Sequence, residues 1–164
     1  MIFLMSTAPV QIGADMLDRI LAAPSALVAL EGSDNVALIR QLGSIARHSG
    51  QSIYLWQSDT GLTGLREAHV RMPGLQRLSS ALRYMLQSNH FGIYLLVTLP
   101  LPVSATNNAL LRQLAREPAG HVRRIVLLDA APALLDSLGD LVVRLDAPLQ
   151  MLQHPRLRDG RWVL

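Results

Sequence analysis

Five short stretches of the chain are apolar almost throughout: Ala26 to Glu31, Ser52 to Trp56, Gly92 to Thr98, Val122 to Leu128, and Leu141 to Leu145. Each is rich in leucine, valine or isoleucine, with Gly, Pro, Asp or Ser at its boundaries. An uninterrupted apolar run of this length suits a strand covered on both faces, as in a parallel sheet. Between the runs the period changes. Val36, Ile39, Leu42, Ile45 and Ala46 recur at three- and four-residue spacing, with Ser33 or Asp34 able to cap the start and Gly50 to close the end. Leu75, Leu78, Leu82, Met85 and Leu86 repeat the pattern, as do Ala109, Leu110 and Leu114 after Ser104 or Thr106, until Pro118 intervenes. Shorter helices are predicted over Pro132 to Leu138 and Ile12 to Leu21, the latter ended by Pro24.

The order α-(βα)4-β predicts an α/β three-layer sandwich with a five-stranded, mainly parallel sheet and right-handed crossovers. One domain is expected over residues 1–164, with 1–24 as an N-terminal helical extension and 150–164 as a basic tail. Thr60 to Gly74 reads as the longest irregular connection, and a segment of that length is often functional. The tail carries Arg156, Arg158 and Arg161 and ends Arg161-Trp162-Val163-Leu164, which suggests a short edge strand or an arm that contacts a second copy.

Composition narrows the chemistry. With 164 residues, half of them apolar, the chain can bury a sizeable core without metal or disulfide support. The absence of cysteine excludes thiolate catalysis and fits a reducing compartment, so a cytoplasmic protein is expected. Met1 to Met5 is apolar but has no basic residue before it, and Asp15 and Asp18 follow too closely for a signal peptide. The longest uncharged apolar stretch, Phe91 to Val103, is too short to span a bilayer, so no membrane insertion is expected. All fifteen basic residues are arginine. The net charge is only +3, so the calculated pI of 10.2 reflects arginine's high pKa and lends little support to nucleic-acid binding.

The strand and helix order matches a RecA or P-loop NTPase-like arrangement, whose first strand-to-helix turn should cradle phosphate. That turn reads Glu31-Gly32-Ser33-Asp34-Asn35: one glycine, no lysine, and two carboxylates that repel phosphate. The third strand, where an aspartate should hold magnesium, ends Leu96-Val97-Thr98-Leu99-Pro100. Without those groups the electrostatic stabilisation of phosphoryl transfer is missing, so the topology is expected without Walker motifs and without hydrolysis. The five histidines have no metal-ligand spacing, no Gly-x-Ser-x-Gly elbow occurs, and neither metal nor cofactor is expected.

Ser52-Ile53-Tyr54-Leu55-Trp56 with Thr60-Gly61-Leu62, then Ala81-Leu82-Arg83-Tyr84-Met85-Leu86 leading into Gly92-Ile93-Tyr94-Leu95-Leu96, resembles the N-terminal domain of plastid and cyanobacterial-type AAA ATPases. Arg124 to Leu128 and Val142 to Pro148 are similar to its closing strands. The resemblance covers about residues 25 to 149 and implies a degenerate P-loop-like domain. In that family a competent AAA module follows. This sequence ends at Leu164, so no ATPase activity is implied.

Together these features predict a noncatalytic interaction or regulatory domain that binds a protein partner or itself. Its contacts would involve Arg66, Arg71, Arg77 and Arg83 around the Thr60 to Gly74 segment, and Arg156, Arg158, Arg161 and Trp162 in the tail. One alternative is a sensor that binds a nucleotide or cyclic dinucleotide without cleaving it, in a crevice formed by Glu31, Gly32, Ser33, Trp56, Gln57, Thr98 and Asp129, because open sheets bind ligands at strand C-terminal ends. A nucleic-acid-binding module is the third reading and would need the arginines gathered on one face. Trp56 also reads as a core residue, Asp129 as a helix cap, and the arginines as a solvated helix face.

Overall fold

The computed structural model describes residues 13–32, 34–67, 71–88, 90–116, 123–146, 156–158 and 161–163. Its helices are α1 (residues 13–22), α2 (Asn35–Ser49), α3 (Leu78–Gln87), α4 (Ala105–Arg116) and α5 (Pro132–Leu138). Its strands are β1 (Leu27–Glu31), β2 (Ile53–Gln57), β3 (Gly61–Gly64), β4 (Arg71–Met72), β5 (Gly92–Val97), β6 (Arg123–Leu128), β7 (Val142–Asp146), β8 (Arg156–Arg158) and β9 (Arg161–Val163). Seven strands form one sheet in the order β4-β3-β2-β5-β6-β1-β7. The pairs β2–β5, β5–β6, β6–β1 and β1–β7 are parallel. Counted in chain order, the parallel strands therefore run second, third, fourth, first, fifth across the sheet, as a RecA-like sandwich requires.

Alternation along the strands divides the core into two layers. Ala29, Trp56, Tyr94, Leu96, Ile125 and Leu127 pack with α3, α4 and α5 on one face. On the other, Leu30, Ile53, Ile93, Leu95, Val126 and Leu128 pack with α1 and α2. Met16, Leu17 and Ile20 are buried in that second layer, so α1 is part of the sandwich.

Local chemistry fixes the ends of α2. The Asp34 carboxylate accepts from the Ala37 N–H at 3.2 Å, and Gly50, at φ 78°, returns its N–H to the Ala46 carbonyl at 3.0 Å. At α4 the Ser104 hydroxyl accepts from the Asn107 N–H, and Pro132 opens α5.

The sheet is wider than five strands. Residues 60–74, expected to be irregular, contain β3 antiparallel to β2 and β4 antiparallel to β3. A four-residue strand with glycine at both ends and a two-residue strand are too short to show periodicity, although Leu62 is fully buried. Gly61 makes the turn at φ 77°, and a Cβ there would come within 3.2 Å of the Leu75 backbone, so the position accepts only glycine. In the tail, the edge-strand alternative is not what the described residues show. β8 and β9 pair with each other and add no edge strand to the main sheet.

The first residues of β6 couple the layers. Arg123 and Arg124 are both buried, pointing to opposite faces. Arg123 Nη1 donates to the Met85 carbonyl of α3 at 2.8 Å. Arg124 donates to Ile20, Leu21 and Ala23 carbonyls at the end of α1 at 3.2, 3.0 and 3.4 Å. Each guanidinium thus meets the negative end of a helix on its own face. Burial lowers the Arg124 pKa from its ordinary value.

Candidate functional site: the strand-end rim and the adjoining groove

The parallel strands end level with one another, and their last residues form a rim. Register pairs Val97 with Leu128, Leu30 with Leu128, and Glu31 with Asp146. One residue further out, the rim therefore reads Thr98, Asp129, Glu31, Asp146 across β5, β6, β1 and β7. Gln57 ends β2 on the far side, where its side-chain carbonyl accepts from the Thr60 hydroxyl at 3.4 Å. The fold brings Glu31, Gly32, Gln57, Thr98 and Asp129 to one edge of the sheet; Ser33 lies outside the described residues.

The groups there are mostly acidic. Asp34 is occupied as the α2 cap, and Asp129 accepts from Asn35 Nδ2 at 2.7 Å, which ties the β6 end to the first residue of α2. Asp129 and Thr98 both adopt left-handed backbone, at φ 57° and 48°. Aspartate tolerates that region, and the Asn35 bond holds it there. Thr98 is β-branched and carries strain on the order of 1 kcal/mol, offset in part by its N–H bond to the Leu128 carbonyl at 3.0 Å.

Trp56 corrects the crevice prediction. Its side chain is fully buried against α3 and its indole N–H donates to the Leu75 carbonyl at 2.8 Å. The same alternation that sends Ile53 and Leu55 to one face sends Trp56 to the other, under helices, so it offers no stacking surface at the rim.

The expected arginine contacts are dispersed over several elements. Arg66 donates to the Gly50 carbonyl at 3.2 Å and stands 4.0 Å from Glu67, beside a cleft of about 190 Å³ lined in part by Tyr54 and Met72. Arg77 occupies the N-cap position of α3 and Arg83 lies exposed on that helix. Arg71 is in β4, with its side chain outside the described residues. Arg156 and Arg158 lie on β8, and Arg161 and Trp162 on β9, where Leu157 pairs with Trp162 and Arg158 with Arg161; their side chains are likewise outside the description.

A larger feature went unpredicted. Between α4, α5 and the loop after β5 lies an open groove of about 990 Å³, lined by Leu101, Val103, Ala105, Ala109, Ala131 and Leu134 among others. Polar side chains of its wall bond within the domain: Arg112 Nε donates to Asn108 Oδ1 at 2.7 Å and Nη2 to the Ser137 carbonyl, and Asn108 Nδ2 donates to the Ser137 hydroxyl at 3.1 Å. Leu101 is 64% exposed at its mouth, and Val36, 66% exposed, follows the Asn35 that holds Asp129. Leu101-Pro102-Val103 carries a sequence signal of its own, an apolar loop where polar residues are usual. Among the described residues no group of three histidines or carboxylates could hold a metal, and no helix is long and apolar enough to cross a membrane.

A RecA-like α/β sandwich with strand ends open to one side is the class of domain defined here. The family model for the SpoVK-like AAA ATPase N-terminal domain matches residues 14–147, and the chain belongs to that family. The match runs from α1 to just past β7, the unit that forms the sandwich. No curated protein and no solved structure matches the chain.

Proposed function

We propose that this domain is a degenerate, noncatalytic relative of P-loop folds whose work is to bind a protein partner or a second copy of itself. The observation that supports it most is the inversion of charge at the rim. Glu31, Asp34, Asp129 and Asp146 stand at or beside the strand ends, where a nucleotide's phosphates would lie, and the sequence has no lysine. One carboxylate about 5 Å from a phosphate charge costs about 3 kcal/mol at an effective dielectric of ~20. Carboxylates at this edge oppose the attraction that the backbone N–H donors of a helix N-terminus exert on phosphate. Stacking from Trp56 is also unavailable to a nucleotide base.

Next to this rim the groove offers what protein recognition uses: an apolar lining with an exposed leucine, and polar side chains that bond within the domain. The test is capture from cell lysate with the wild-type domain and with Leu101→Asp. A polypeptide retained by the first and lost by the second is expected, with the thermal midpoint unchanged because Leu101 is exposed. Equal retention by both would remove the groove from the proposal.

A further inference from the structure

The two edges of the main sheet are built differently. One ends in β4, which spans two of the described residues. The other ends in β7, five residues long and in unbroken parallel register with β1 from Val142 to Asp146. It contains no proline and no bulge. Beyond it, among the described residues, no further strand is added, since β8 and β9 form their own sheet. Among the described residues no strand pairs with the outer edge of β7, so its backbone can take part in strand-to-strand association.

Exposed edges are often guarded by charge, and β7 carries two charges, Arg144 and Asp146, both exposed. They have opposite sign and lie two residues apart, so they share one face of the sheet. Leu145 lies on the other face, packed against the α1 and α2 layer. That spacing is self-complementary. In an antiparallel pair of β7 strands related by a two-fold axis at Leu145, Arg144 of each copy stands opposite Asp146 of the other, and Leu145 opposes Leu145. An axis at Arg144 would set arginine against arginine, and one at Asp146 would set carboxylate against carboxylate. An axis at Val143 would set Asp146 against Asp140. The charges that disfavour those registers favour the one centred on Leu145, in which the described residues 144–146 of each copy pair with one another.

We infer that two copies of this domain associate edge to edge through antiparallel β7 strands, with reciprocal Arg144–Asp146 pairs fixing the register. Arg144 is prepared for this. Its Nη2 already donates to Asp136 of α5 at 3.1 Å, and a guanidinium has donors left for a second carboxylate. The Arg19 bond to the Asp146 carbonyl, at 3.0 Å, steadies the end of the strand. This inference rests on the interaction-domain proposal for the expectation of self-association and supplies its surface. It uses neither the groove nor the rim, so its failure would leave the Leu101 capture result standing.

The test is a charge-exchange cycle on the whole chain, read by sedimentation velocity over a concentration series. Arg144→Asp sets carboxylate against carboxylate at both cross-strand pairs, and Asp146→Arg sets guanidinium against guanidinium. Each is expected to raise the dimer dissociation constant at least about tenfold, the scale set by losing two favourable cross-strand pairs and gaining two unfavourable ones. Mixing the two single variants restores opposite charges at both pairs and is expected to restore association. The double variant, Arg144→Asp with Asp146→Arg, is expected to restore it as a homodimer. Asp146→Arg leaves the Arg144–Asp136 pair intact, which separates loss of association from loss of fold. A wild type that stays monomeric at its highest soluble concentration would overturn the inference. So would single variants that associate like wild type, or a failure of both the mixture and the double variant to recover.

Discussion

Replacing Trp56 with alanine is expected to destabilise the domain by about 4 kcal/mol, in the range for truncating a buried tryptophan. Trp56 is fully buried in the layer beneath α3, and its neighbours Ala81, Leu82 and Met85 belong to a helix held against the sheet, so the resulting void would close only in part. The indole N–H bond to the Leu75 carbonyl is lost as well, and that carbonyl lies in the segment that leads from β4 into α3. Trp56→Phe retains most of the apolar contact and should cost about 1.5 kcal/mol, for the lost hydrogen bond and a small void. Urea denaturation of the three proteins, followed by intrinsic fluorescence and far-UV circular dichroism, provides the comparison. A Trp56→Ala protein as stable as wild type would place the side chain outside the core.

Arg124→Met is the second large effect, expected at about 3 kcal/mol of lost stability. Methionine is apolar and of comparable length, so it fills the channel, but it cannot donate to the Ile20, Leu21 and Ala23 carbonyls at the end of α1. The positive charge facing that helix terminus goes with it. Arg123→Met removes a single described bond, to Met85, and should cost about 1 kcal/mol. The difference between these neighbours is the informative quantity. Because Arg124 is what ties α1 to β6, hydrogen exchange in α1 should accelerate in the Arg124→Met protein well before the rest of the sheet opens. Uniform acceleration, or equal costs for the two variants, would contradict the assignment.

The parallel strands were legible as uninterrupted apolar runs bounded by turn residues, and the described helices by three- and four-residue spacing or, for α5, a proline start, although the buried face of α2 is set by Leu38, Leu42 and Ala46 and leaves Val36 exposed. β6 is apolar from Ile125 to Leu128 and is buried on both faces; α2 carries its own start and stop in Asp34 and Gly50. β3 and β4 were not legible, since Gly61-Leu62-Thr63-Gly64 and Arg71-Met72 offer too few positions for alternation to emerge. The rim could be assembled from sequence because strand ends in a parallel sheet must share an edge. Its Trp56 could not be placed, because that depends on which face of β2 the residue takes. The Arg123-Arg124 pair did leave a mark: two adjacent charges at the start of a wholly buried strand imply partners, and helix ends are the natural ones. The groove arises from the spacing of α4 and α5, which no local pattern encodes.

Turnover of magnesium-ATP and magnesium-GTP by the purified chain is the most direct test of the central proposal. With carboxylates at the rim and no lysine in the sequence, phosphate release should not rise above the buffer rate at any nucleotide concentration. Magnesium-dependent release that scales with protein and disappears in Asp129→Asn would contradict the account.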